Sequence, residues 1–163
     1  MAGDVEIVGI RTRLVDPKAT LAELQAFARS RGGWAQLLDA GHVVGRDHLL
    51  SALEHARRAM DQGTNTTGSL EMEFLLYASG ERQISKAIDL TGVRAGRPFV
   101  AVLGGPFIAD VLERFGWTRD DRFLGAGTVK LRNIGFAPAE VRSAGPAATD
   151  LVLERVARVD LIK

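Results

Sequence analysis

Three histidines, a serine at a helix break and a scatter of arginines are the residues of this sequence with chemistry to offer. His48 and His55 fall seven apart in a segment patterned as a helix, so their rings lie two turns or ~10 Å apart and cannot chelate one ion. The sequence has no cysteine, which excludes disulfides and thiolate zinc sites and leaves His42, His48 and His55 to carry any metal. Packing or surface roles are expected for these rings, and neither a metal nor a cofactor. Ser79 with His48 and Asp47 would supply a nucleophile, a base and a carboxylate, but no Gly-x-Ser-x-Gly elbow surrounds any serine. Helix capping is the expected role of Ser79. Gly104-Gly105-Pro106, following an apolar run, resembles a phosphate-cradling turn at a helix start. Without a Gly-x-x-x-x-Gly-Lys pattern, it reads better as an ordinary strand-to-helix turn with Pro106 at the first helical position. No catalytic residue emerges, and a protein that is not an enzyme is expected.

The basic residues are more informative. Drawn at 100° per residue, segment 45–62 puts Arg46, Leu50, Glu54, Arg57 and Asp61 on one face. A leucine between two arginines leaves apolar area in water unless a partner covers it, which makes Leu50 and Arg57 candidate partner contacts. Arg82 and Lys86 are four apart, a helical spacing at which like charges repel by a few tenths of a kcal/mol, and an anion would relieve them. Arg82 also reads as lying in a first helical turn, where the helix dipole disfavours a cation.

The elements that must position these groups follow from periodicity. Residues 4–15 alternate as a half-exposed strand that Pro17 ends, Thr20–Arg31 reads as a helix, and 34–38 as a second strand. Leu49, Ala52, Leu53, Ala56 and Met60 form the apolar stripe of a helix closed by Gly63. Residues 69–78 are apolar nearly all round, the pattern of a buried central helix, and Ser79-Gly80 ends it before another helix at 83–89. A strand at 97–103 and short helices over 121–163, the last at 149–161, complete the chain. The expectation is an α+β fold, one small mixed sheet covered by several helices, in a single domain spanning 1–163.

Composition sets the wider bounds. A chain of 163 residues that is 46% hydrophobic can bury one core. Acidic residues stand where a signal peptide would be basic, and no apolar run approaches the ~20 residues of a membrane span, so a cytoplasmic protein without membrane contact is expected. A net charge of only +1 argues against bulk electrostatic capture of nucleic acid.

Two stretches read together, Val44-Gly45-Arg46-Asp47-His48-Leu49-Leu50-Ser51-Ala52-Leu53-Glu54-His55-Ala56 and Glu73-Phe74-Leu75-Leu76-Tyr77-Ala78-Ser79-Gly80-Glu81-Arg82-Gln83-Ile84-Ser85-Lys86-Ala87-Ile88, resemble the signature helices of the kinase-binding small subunit of the KEOPS tRNA-modification complex, archaeal type. Leu153-Glu154-Arg155-Val156-Ala157 is similar to that family's closing helix. The linker Asn65-Thr66-Thr67 departs from the family pattern. The resemblance implies a non-catalytic subunit that docks on the complex's small atypical kinase, meets the other subunits indirectly, and helps recruit tRNA, including its 3′ acceptor end, for N6-threonylcarbamoyladenosine formation. On that reading Arg46, Arg82, Gln83 and Lys86, with Ser79 and Gly80, contact single-stranded tRNA by phosphate neutralisation and stacking, while Leu50 and Arg57 face a protein partner. Near-neutral charge favours the alternative, a protein-only scaffold of the kinase with little RNA contact.

Overall fold

The computed structural model describes residues 5–163. Three strands, β1 (Glu6–Ile10), β2 (Ala35–Asp39) and β3 (Phe99–Leu103), accompany helices α1 (Pro17–Ser30), α2 (Arg46–Gln62), α3 (Leu70–Ser79), α4 (Ile84–Thr91), α5 (Ile108–Phe115), α6 (Thr128–Asn133), α7 (Pro138–Ala144) and α8 (Asp150–Ile162). The class is α+β, as the patterning implies. No helix among the described residues is long and apolar enough to cross a membrane. The chain divides into two compact units, one from residues up to 40 with 93–124 and one from 41–92 with 125–163.

The first unit carries the sheet, in the order β1-β3-β2, with both Val8 and Leu37 opposite Ala101. Pairing is antiparallel throughout instead of mixed. The β1–α1–β2 crossover suggests parallel neighbours, but β3 inserts between the two strands and runs against both. One face, with Val8, Ile10, Leu37, Phe99 and Ala101, packs on Leu24 and Ala28 of α1, Val111 of α5 and Trp117.

Two expectations about this unit change. The first strand stops at Ile10, short of residue 15, and the Asp4 end of the expected strand lies outside the described residues. Arg11 and Thr12 bond instead to Thr118, and Asp16 caps α1 by accepting the Ala19 N–H at 3.1 Å, so Pro17 opens a helix. Beyond β3, α5 begins at Ile108 with Phe107 as N-cap, so Pro106 is not at the first helical position. The Ile108 N–H donates to Glu6 Oε1 at 3.1 Å, and that carboxylate holds the place a phosphate would need. Gly104 is required for a different reason: a Cβ there would lie 1.9 Å from Trp34 Nε1.

In the second unit α3 is the centre, buried from Phe74 to Ser79 as its all-round apolar pattern implies. α2 packs on it through His48, Leu49, Ala52, Leu53, Ala56 and Ala59, and α8 packs on both α2 and α3. α6 and α7 form a small cluster in which Leu131, Ile134, Phe136, Val141 and Val152 meet Val44.

Candidate recognition site

The start of α2 and the end of α3 are tied by one imidazole. His48, 1% exposed, accepts the Val44 N–H on Nδ1 at 3.0 Å, and its Nε2 lies 2.8 Å from the Ala78 carbonyl. A carbonyl only accepts, so the proton sits on Nε2 and the ring is the neutral Nε2–H tautomer. Burial pushes its pKa down to about 4, with nearby Lys130 lowering it further and the Ala78 bond opposing the shift. Both nitrogens are engaged, so His48 is a strut with no free lone pair for a metal or a reacting proton. Its effect is to hold the first turn of α2 and the last turn of α3 at one pole of a helical hairpin.

At that pole the candidate side chains divide. Arg46, the first residue of α2, is exposed and lines a pocket of about 270 Å³ with Asp47, His48, Thr149, Asp150 and Leu153. Ser79 and Gly80 are buried. The Ser79 hydroxyl donates to the Leu76 carbonyl at 2.8 Å and accepts the Glu81 N–H at 3.1 Å, while the Gly80 N–H donates to Leu76 and Tyr77. These two residues are spent on ending α3, as the expected capping role of Ser79 requires. Gly80 has φ +75, a left-handed conformation that favours glycine, and a Cβ there would meet Arg155 Cγ at 2.4 Å.

The turn they shape presents Glu81, Arg82 and Gln83. Arg82 and Gln83 are exposed, and Gln83 is the extended N-cap of α4 without a side-chain capping bond. Arg82 therefore precedes the helix instead of lying in its first turn, and it does not face Lys86 across consecutive helical turns. The left-handed Gly80 uses up residues that periodicity would assign to the helix. Lys86 is exposed on the first turn of α4. On the outward face of α2, Leu50 is 36% exposed and Arg57 half-buried, about two turns apart or ~10 Å along the axis.

Spacing gives no sign of the groups that fix α8 on this hairpin, because their partners are remote in sequence. The Tyr77 hydroxyl donates to Asp160, whose other oxygen lies 2.8 Å from His55 Nδ1, and the His55 and Tyr77 rings stack at 5.4 Å. Burial is the largest influence on Tyr77 and, with the Asp160 bond, drives its pKa above the ordinary tyrosine value. The Glu73 carboxylate, fully buried, accepts from Thr66 N, Thr67 N, Thr67 Oγ1 and Lys163 Nζ, the last at 2.6 Å. Burial works to raise its pKa, but these donors outweigh it and hold the group below its usual value. The departing linker Asn65-Thr66-Thr67 thus supplies the donors this buried carboxylate needs.

Fold and site together define an α+β protein whose helical unit offers exposed basic side chains at one pole and an exposed leucine beside it. Residues 16–106 match the family described as kinase binding protein CGI-121. The regulatory protein Cgi121 of Methanocaldococcus jannaschii is 30% identical over 128 residues, covering 78% of this chain and 84% of the relative. The chain belongs to the CGI-121 family, the family whose resemblance the helices over 44–88 carry.

Proposed function

We propose that this protein is a non-catalytic regulatory subunit of the KEOPS complex that binds the complex's atypical kinase and recruits tRNA through its single-stranded 3′ acceptor end. The observation that supports the RNA half most directly is the His48 strut. By joining the first turn of α2 to the last turn of α3 it puts Arg46 and the Arg82-Gln83 turn at one pole of one hairpin, with Lys86 a turn further along α4. Guanidinium and ammonium groups gathered in this way neutralise phosphates of a flexible strand, and the exposed Gln83 side chain adds a donor and an acceptor for a base edge. Ser79 and Gly80 serve by shaping the turn. Membership of a family of kinase binding proteins supports the kinase half, and Leu50 with Arg57 on the outward face of α2 offers an apolar contact flanked by a cation. Partner subunits supply the chemistry of N6-threonylcarbamoyladenosine formation, and this chain supplies binding and position in the cytoplasm.

The test is binding of tRNA to the purified chain at two salt concentrations, with Arg82→Glu as the variant. Wild-type binding should weaken as salt rises, and Arg82→Glu should lower affinity at least 10-fold at moderate salt. Unchanged binding in that variant removes the RNA surface. Kinase co-purification lost in Leu50→Glu but kept in Arg82→Glu would separate the protein contact from the RNA contact. A chain that holds the kinase and ignores tRNA would be the protein-only scaffold that its near-neutral charge also suits.

A further inference from the structure

Beyond the hairpin pole lies a second pair of arginines. Arg132 on α6 and Arg142 on α7 line one pocket of about 240 Å³ whose remaining walls are Pro138 and Val141. Both arginines are exposed, and among the described residues neither side chain has a hydrogen bond or carboxylate partner. No acidic residue lines the pocket. Two arginines without a carboxylate partner on the rim of one small apolar hollow leave cationic charge there for an anion to neutralise, and Arg is the side chain best suited to pair with phosphate and stack on a flat ring. The hollow is too small to enclose a drug-sized ligand and large enough for one base or one sugar-phosphate.

One side chain, Arg155, connects the helices that line this pocket to the turn that precedes Arg82. Arg155 of α8 runs its aliphatic stem beside Gly80, places its guanidinium 4.1 Å over the Phe136 ring, and donates to the Ile134 carbonyl. Ile134 and Phe136 form the connection between α6 and α7, and Val141, a wall of the pocket, packs in the same apolar cluster. The Arg155 side chain therefore links the Gly80 turn to the helices that present Arg132 and Arg142. Arg132, Ile134, Phe136, Val141, Arg142 and Arg155 all lie outside the residues 16–106 that match the family.

We infer that the Arg132–Arg142 pocket is a second nucleotide site, taking one phosphate and the flat ring beside it from the same single strand that the Arg82 turn holds. The inference rests on the RNA reading above. The measurement is fluorescence anisotropy of labelled tRNA with wild type, Arg82→Glu and the double variant Arg132→Gln/Arg142→Gln, each over a salt series, with folding monitored by circular dichroism. The double variant should bind tRNA about 10-fold or more weakly, and its slope of log affinity against log salt should be shallower by about 0.7, the value for one single-strand phosphate contact. A variant that merely loosened the fold would lower the melting temperature and leave that slope near wild type.

Competition separates the source of the ligand. If AMP at millimolar concentration displaces tRNA from Arg82→Glu but not from the double variant, the pocket takes a nucleotide, free or in a strand. If inorganic phosphate competes as well as AMP, the ring plays no part and the nucleotide assignment fails. Wild-type affinity and slope in the double variant, alongside a clear loss in Arg82→Glu, would overturn this second site while leaving the first. Silence in both variants would remove the RNA reading itself.

Discussion

The Nε2–H of His48 donates to the carbonyl of Ala78 at 2.8 Å, across 30 residues of sequence, and this bond ties the first turn of α2 to the last turn of α3. The ring must stay neutral to make it while accepting the Val44 N–H, and burial lowers its pKa from 6.5 to about 4. A folded-state pKa below the unfolded value means stability that is complete above pH 6.5 and is lost as the pH falls towards about 4, since only the unfolded chain takes the proton in that window. The loss should total about 3 kcal/mol, at ~1.4 kcal/mol per pKa unit. Urea denaturation at a series of pH values measures it. His48→Asn should be less stable at neutral pH and should lack most of the decline between pH 6.5 and 4.5. An equal decline in that variant would place the acid sensitivity elsewhere. Glu73 and Asp160, both held below their ordinary values, add their own loss only at lower pH.

How much of this arrangement could be read in the sequence depends on the range of each interaction. The apolar stripe of α2, the all-round apolar α3 and the breaks at Gly63 and Gly80 are local patterns, and the structure has them within a residue or two of their expected limits. Arg82 falls outside the helix that spacing assigns it to, because Gly80 turns left-handed and Gln83 stays extended, which periodicity cannot register. The first strand is shorter than its alternation implies because Arg11 and Thr12 keep alternating after they leave the ladder for Thr118. The antiparallel sheet depends on β3 arriving from far along the chain, and no pattern within a strand encodes its neighbour's direction. His48, Arg155 and Lys163 act through partners about 20 to 90 residues away, so their roles become visible only when the helices are packed.

The Glu73–Lys163 ion pair is almost fully desolvated, with side-chain exposures of 0% and 7%. Removing one partner leaves the other charge buried, which costs about 3–5 kcal/mol, whereas removing both is far milder. Glu73→Gln and Lys163→Met should each lower stability by a few kcal/mol, and the double variant should recover a large share of the summed loss. Chemical denaturation of the four proteins closes the cycle. Strict additivity would show that the two groups do not depend on each other.

Gly80 meets two demands at once, a φ of +75 and a neighbour in Arg155 whose Cγ would be 2.4 Å from any Cβ. Gly80→Ala should cost about 1–2 kcal/mol from the left-handed backbone alone. It should also push Arg155 off Phe136 and shift the Arg82 turn. Gly80→Ala/Arg155→Ala removes the overlap and should regain the packing part while keeping the backbone part. Thermal melts of both proteins give the two contributions, and a Gly80→Ala protein as stable as wild type would refute the backbone assignment.

We propose that the whole chain folds as one cooperative domain. Each unit is assembled from two separate segments, so the helices of 41–92 are inserted between β2 and β3, and the strand-bearing segment 93–124 is inserted between the two parts of the helical unit. If the helical unit melted alone, the β2–β3 ladder would have to close across a long flexible loop, and that closure costs more entropy than closing across a folded insert. The same holds in reverse for docking α8 on α2 and α3. Both tryptophans, Trp34 and Trp117, belong to the sheet unit, whereas most of the helix belongs to the other. Tryptophan emission and far-ultraviolet circular dichroism therefore follow different units in one sample. Their urea transitions should coincide in midpoint and in slope. Two separated transitions would show that the units fold independently despite their interleaved connectivity.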